Sequence, residues 1–262
     1  VEELMGMRSS TSRLWPVWVL IVVVLALLYA PTLPVIALSF TDMQGNLSIG
    51  GYAELLRTDI VIKALRTTAV VGVAVAVLAS ILGLLAAISI RELGIPRLVL
   101  LCMLLPLFIP GVSMGLASAL LFKILGISPS LVTIIIVQTL WALPFATLII
   151  LTVMATFDPA YLEAAYVAGA SRLQAFRDIE FPLIAPGIFG AASFSFIISI
   201  NETIRTSAVQ GPWNTVPTYI WSSYKQVGLS PVLYALMGVI ILSTFALAIA
   251  YLLLTVRRKP TA

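Results

Sequence analysis

Six stretches of this chain run for at least 20 residues without a single Asp, Glu, Lys or Arg: 14–41, 67–90, 98–122, 124–157, 181–201 and 226–256. Each is apolar, and each is long enough as a helix to cross a hydrocarbon layer about 30 Å thick. In lipid every backbone N–H and C=O must find its partner within the protein, so spans of this kind fold as helices. Charged residues are only 10% of the 262, and hydrophobic ones 61%, whereas soluble domains are roughly one quarter charged. Too few charges remain to cover a soluble fold of this size. A soluble enzyme, a disordered protein and a nucleic-acid binder are thereby excluded. The formal charge of +4 reflects basic loops beside membrane helices, not a phosphate-binding face.

The residues that are missing narrow the chemistry further. The chain has no His, so a His-based metal site, a Ser/His/Asp triad and a His proton relay are out of reach. Cys102, its one cysteine, falls inside the third apolar stretch and is expected to be a small buried hydrophobe. No GxxxxGK[ST] occurs, so ATP is not bound through a P-loop.

The pattern predicts an all-α integral membrane protein of six transmembrane helices, at about 15–40, 66–90, 98–122, 131–156, 183–204 and 231–256. The first apolar run is too long for a cleavable signal core, and Pro31 and Pro34 are expected to bend its outer end. Residues 41–63 read as a polar connection. Residues 206–224, with Gln210, Gly211, Pro212, Asn214 and Pro217, read as a loop. The chain divides into a tail, first helix and outer connection (1–63), a five-helix core (64–256) and a short C-terminal tail (257–262). Six crossings leave both termini on one side. That side collects Arg8, Arg13, Arg91, Arg97, Arg172, Arg177, Arg257, Arg258 and Lys259, nine basic residues against six opposite, which predicts cytoplasmic termini. Trp15, Trp18, Trp141, Trp213 and Trp221 lie near expected helix ends, where interfacial aromatics gather.

The most informative segment is 157–182, between the fourth and fifth spans. Asp158 is placed to cap a short helix with Pro159 in its first turn. Gly169 is placed to end that helix in the left-handed conformation. Ser171 and Gln174 have the spacing of a capping box for a second short helix, which Pro182 is expected to close. Ala160, Ala164, Ala165 and Ala168 give the first helix a surface of small side chains, and Phe157, Tyr161, Tyr166 and Phe176 supply apolar anchors. Physics alone leaves two readings: a solvated hairpin, or a docking knob for a partner.

Glu163-Ala164-Ala165, three residues, Gly169, nine residues, Ile179, one residue, then Phe181-Pro182 resembles the EAA loop of permease subunits of binding-protein-dependent ABC importers. The family pattern is E-A-A-x3-G-x9-I-x-L-P, and Phe181 in place of Leu is the sole departure. The run 105–112 (LPLFIPGV) resembles the start of the family's third helix. More narrowly, segments around Gln210-Gly211-Pro212, Tyr219-Ile220-Trp221 and Val227–Pro231 look like the second permease subunit of spermidine/putrescine importers.

The resemblance implies a type I importer permease (MetI-like) fold with a coupling helix in the 157–182 loop. It implies a multi-pass protein of the bacterial inner membrane whose partners are two ATP-binding subunits, a second, paralogous permease and a solute-binding protein. The transported solute is small: a polyamine, or an opine, phosphonate, amino-acid-like compound or inorganic anion. The chain is then no enzyme and binds no cofactor, and ATP with Mg acts in the partner ATPases. Glu163, Ala164, Ala165, Gly169, Ile179 and Pro182 would couple to those ATPases.

Candidates for the solute path are Asn201, Glu202, Trp141 and Tyr224. Glu202 has two readings. It is a cation-attracting group in the path, or it pairs with Arg205 at the outer end of its helix. Gln138, in an apolar span, reads as interhelical glue. An ion-coupled secondary transporter would call for internal repeats and several ionisable groups at mid-membrane. A channel would call for a selectivity ring, and an intramembrane enzyme for a catalytic constellation. None of these is visible in the sequence.

Overall fold

A computed structural model of the chain describes residues 15–92 and 96–257. Arg8, Arg13, Arg258 and Lys259, counted above toward one side, lie outside the described residues. The chain divides into two compact units, Asp59–Ser222 and a second made of Val1–Thr58 with Ser223–Ala262.

In the second unit, α1 (Trp15–Tyr29) and α2 (Thr32–Ser39) are bent by 48°. Pro31 stands at the start of α2 with its φ fixed at −65°, so the single helix expected over 15–40 is interrupted where a proline cannot continue it. Every residue of α1 is exposed within the unit, as befits a helix apolar on all sides whose surroundings are lipid or another subunit. The stretch 41–63 is not wholly irregular. Asp42 organises a tight turn closed by Gly45 at φ +84°, and α3 (Gly50–Arg57) follows. The long apolar helix α13 (Pro231–Arg257) packs on α2 and α3. Contact is close enough that a Cβ on Gly51 would lie 2.7 Å from the Pro231 carbonyl oxygen. The Ser39 and Tyr52 hydroxyls, 2.7 Å apart, join α2 to α3.

The other unit is built on three long helices: α4 (Asp59–Glu92), α7 (Leu131–Met154) and α10 (Phe181–Ile200). Val71, Val75, Ala79, Ala142, Ala146, Ile150, Ile184 and Ala191 form the buried centre where they meet. Small residues set the spacing: a Cβ on Gly83 would approach Ala146 Cβ to 3.0 Å and the Thr147 nitrogen to 3.1 Å. Close backbone approach of this kind holds membrane helices together where water cannot drive them. Helix α4, at 34 residues and about 50 Å, begins at Asp59 rather than near 66. Lys63 and Arg66 therefore lie on a helix that outruns the hydrocarbon layer.

The expected third span is broken. It comprises α5 (Pro96–Leu104), a 3-10 turn at Leu105–Phe108 and α6 (Gly111–Ile124), with a 100° bend between the pieces 97–108 and 111–124. Pro106 and Pro110 each remove a helical N–H, and Pro110 has an extended ψ of 136°. Cys102 on α5 is exposed rather than buried, because α5 lies on the rim of the unit.

Short α8 (Ala160–Val167) and α9 (Arg172–Ala175) follow α7. Pro182 does not close the second of these. The backbone widens to a π-turn over Phe176–Glu180, with the Phe181 N–H reaching the Phe176 carbonyl, and continues into α10. The π-turn re-registers the hydrogen bonds just where Pro182 cannot donate one. Helix α10 stops at Ile200 instead of 204, and α11 (Ile204–Val209) follows a break. The 206–224 segment is not only loop, since it also holds most of α12 (Val216–Val227). Pro217 is tolerated in the first turn of α12, and Thr218 caps that turn by accepting the Thr215 N–H at 2.9 Å.

By length and composition, three described helical stretches can cross a membrane alone: Asp59–Glu92, Leu131–Met154 and Arg172–Ile200. The two bent pairs raise the number to five, and Pro231–Ala246 is a shorter apolar stretch. Among the described residues there is no strand, only an isolated bridge between Thr41 and Leu47.

Candidate functional site

Two places in the unit 59–222 concentrate the residues singled out by sequence. The first is the elbow at 157–182. Asp158 Oδ1 accepts the Ala160 N–H at 2.9 Å, which satisfies a donor at the start of α8. Gly169 takes φ +87°, and the Gly169 and Ala170 N–H groups return to the Tyr166 and Ala165 carbonyls, both at 3.0 Å. This is a left-handed helix end of the Schellman kind. Ser171 and Gln174 then form the reciprocal capping box, at 2.8 and 3.3 Å. Ala165 is buried beneath α8, while Ala160, Glu163, Ala164 and Ala168 face out beside Tyr161, Tyr166 and the 91% exposed Val167. Ile179 is half-buried in the π-turn and Pro182 is exposed.

One contact at the elbow was not legible in the sequence. Glu180, buried, pairs with Arg91 at the end of α4, and a second guanidinium nitrogen of Arg91 lies 3.5 Å from the other carboxylate oxygen. The π-turn is thus tied to the three-helix core. A cleft of about 820 Å³ opens beside it, lined by Ile88, Arg91, Met154, Glu163, Tyr166 and Glu180 among others.

The second place lies half-way along α7. Ser199 on α10 donates to Gln138 Oε1, and Gln138 Nε2 donates to the Thr206 hydroxyl on α11 at 2.7 Å. Nearer the start of α7, the Thr133 hydroxyl donates to the Val209 carbonyl at 2.7 Å. Gln138, buried, therefore joins three helices, as expected of a polar side chain in an apolar span. These contacts fix the height of the break between α10 and α11. Trp141, ten residues into the 24-residue α7, is about 15 Å from its start. It is not at a helix end as expected.

Directly over the Trp141 ring, 3.6 Å from its centroid, lies the Arg205 guanidinium. Glu202 accepts the Arg205 backbone N–H on one oxygen and Arg205 Nη1 on the other, both at 2.8 Å. The two side chains are 8% and 9% exposed. The i,i+3 pair of the second reading forms, buried within the unit at the break just past the end of α10. The break near Pro110 converges on the same point, since a Cβ on Gly111 would sit 3.2 Å from Arg205 Cζ. Among the described residues, Arg205 Nε has no hydrogen-bond partner.

Of the other path candidates, Asn201 is exposed and donates to the Ile197 carbonyl at 2.8 Å. Tyr224 lies on α12, exposed, in the part assigned to the other unit. Trp141 and Glu202 are thus brought together, through a residue that the sequence offered only as a charge partner. Gly111 belongs to the 105–112 run singled out above, but nothing in that run pointed to its contact with Arg205.

Residues 79–258 match the family described as the inner membrane component of binding-protein-dependent transport systems. The chain is 29% identical over 241 residues to the spermidine/putrescine transport system permease protein PotC of Haemophilus influenzae, covering 89% of this chain and 93% of that one. It is 28% identical to the putrescine transport system permease protein PotI of Escherichia coli, over 86% and 85% of the two chains. It is 26% identical to the sulfate transport system permease protein CysT of Salmonella typhimurium, over 74% and 76%. Its fold is similar to that of a chain of a bacterial ABC transporter that imports the acidic polysaccharide alginate, with TM-score 0.68, 14% identity and coverage of 95% and 98%. An amino acid ABC transporter gives TM-score 0.59 at 16% identity, over 81% of this chain and all of that one. The intact EAA spacing on a capped elbow and the all-helical fold agree with the family match over more than half the chain. The chain therefore belongs to the inner membrane components of binding-protein-dependent transport systems, the permease subunits of ABC importers.

Proposed function

We propose that this chain forms, with a second and paralogous permease, the membrane path of an importer for a short organic polycation of the spermidine/putrescine class. The likeness to PotC and PotI along nearly their whole length carries this reading. In it the chain crosses the inner membrane six times with both termini in the cytoplasm, each bent pair and Pro231–Arg257 counting as one span. A solute-binding protein delivers the cation from outside. Two ATPase subunits hold ATP and Mg, and one of them receives the elbow at α8 in a cleft, where Glu163, Ala164 and Ala165 are the contact and Gly169 sets its angle. Ile179 and Pro182 carry the contact into α10. Asn201, Glu202, Trp141 and Tyr224 line the path. Closure of the ATPases shifts the elbow and biases the permease between two access states, which needs a contact that differs between those states.

A second reading has one observation behind it. Glu202 is neutralised by Arg205, which suits an anionic or zwitterionic solute, and CysT is a sulfate permease protein. Uptake of labelled putrescine, spermidine and sulfate by the complete complex in proteoliposomes separates the two. Saturable polyamine uptake with stimulated ATP hydrolysis is expected, and sulfate uptake without it would overturn the first reading.

A further inference from the structure

A carboxylate beside the face of an indole is a receptor for an alkylammonium or guanidinium ion: the ring attracts the cation and the carboxylate bonds its N–H groups. The chain contains such a receptor half-way along α7, and one of its own side chains fills it. The Arg205 guanidinium covers the Trp141 ring at 3.6 Å and donates from Nη1 to one oxygen of Glu202, whose other oxygen accepts the Arg205 backbone N–H. We propose that Arg205 is a tethered cation holding the place of the solute, displaced when an ammonium group of the solute arrives and returning to expel it. This rests on the reading that the path runs past Trp141 and Glu202.

Four observations carry the exchange. The guanidinium belongs to a six-residue helix, α11, preceded by the break at 201–203, so its side chain is not locked into a long helix. Its Nε, buried, is left without a partner, so the resting position does not satisfy all its donors. Gly111 and Gly115 leave just the room that Arg205 fills, with Cβ positions 3.2 Å from its Cζ and 3.1 Å from its Cα. Trp141 is half-buried and Asn201 exposed, so the cluster borders the surface of its unit on that side.

Exchange of one cation for another keeps Glu202 paired throughout, and the displaced guanidinium has to turn toward the exposed Asn201 side to find water, because an unpaired buried charge is strongly disfavoured. The device favours solutes bearing a compact ammonium, because an uncharged or anionic one cannot take the place of the Arg205 guanidinium on Glu202 and the Trp141 ring.

The test uses labelled putrescine and the purified permease pair in nanodiscs, without the binding protein. Arg205→Gln is expected to bind putrescine about tenfold more tightly than the wild type. Arg205→Gln/Glu202→Gln, which is neutral and serves as the assembly control, is expected to lose that gain. Arg205→Lys keeps the charge but not the planar stack, and is expected to fall between. In the full importer, Arg205→Gln lowers both KM and the maximal rate, because nothing expels the bound cation. Unchanged affinity in an assembled Arg205→Gln pair overturns the proposal, as does a gain retained in the double variant. Should Arg205→Gln fail to assemble, Arg205→Lys decides, and wild-type affinity there overturns it. Tighter putrescine binding by the variant, in an importer that takes up no polyamine, would remove the polyamine assignment and leave the tethered cation standing. Polyamine uptake with unaltered variant affinity would do the reverse.

Discussion

Arg91 and Glu180 are both charged, yet they are not equivalent. The Glu180 side chain is 3% exposed and that of Arg91 35%. Removing the arginine strands a buried carboxylate, whereas removing the carboxylate leaves a guanidinium that water can still reach. Arg91→Ala is therefore expected to cost about 3 kcal/mol and Glu180→Gln about 1 kcal/mol, read as thermal unfolding of the detergent-solubilised protein. Equal losses would mean that the pair is not the buried link described here. Asp42 shows a different use of a carboxylate. The Asn46 backbone N–H bond, followed by those of Gln44 and Gly45, holds its carboxyl below the ordinary 3.8 despite the opposing effect of burial. A depressed pKa stabilises the turn above the unfolded value and loses that contribution as pH falls through the folded one. The protection factors of the Gln44 and Asn46 amides, with the intrinsic pH dependence of exchange divided out, should accordingly be higher near pH 6 than below about pH 3.8, while Asp42→Ala should show little protection at either.

The helices meet through their smallest residues. Gly83→Ala would press on Ala146 and on the Thr147 backbone, and Gly51→Ala on the Pro231 carbonyl. Each is expected to destabilise by about 1–3 kcal/mol. Gly190→Ala meets nothing nearer than Ile149 at 3.6 Å and should be neutral or gain up to about 1 kcal/mol from helix propensity. Chemical denaturation of the three variants would test the ranking. How much of this was legible in the sequence depended on range. The Ser171–Gln174 box, the Asp158 cap and the left-handed Gly169 were legible because each is a contact between near neighbours whose chemistry permits few alternatives. Arg91 and Glu180, 89 positions apart, left no local trace, and neither did Trp141 beneath Arg205. Pro182 misled because proline ends a helix only when the backbone cannot re-register, and here a π-turn does so. The polar run at 206–224 concealed a helix because Pro217 falls in a first turn, where proline is tolerated.

Coupling belongs to the complex rather than to any one helix. Gly169→Val is expected to abolish uptake while ATP hydrolysis continues. The space around Gly169 is open, so the cost comes from the positive φ, which a β-branched residue resists and asparagine accepts. Gly169→Asn should therefore keep transport. Glu163→Lys, on the exposed face of α8, should uncouple in the same way with normal assembly. Uptake and hydrolysis measured side by side on the reconstituted complex check all three. If the valine and lysine variants transport normally, the elbow is not the contact. The π-turn gives this a mechanical meaning. Because it lets the chain run helically without interruption from Arg172 to Ile200, one rod has the elbow at its near end and the Glu202–Arg205 pair just past its far end. In the proposed importer a push received at the elbow would travel along this one helical run, past the π-turn and Pro186, toward the tethered cation, so a single lever would both be driven by the ATPases and unseat the charge proposed to guard the path.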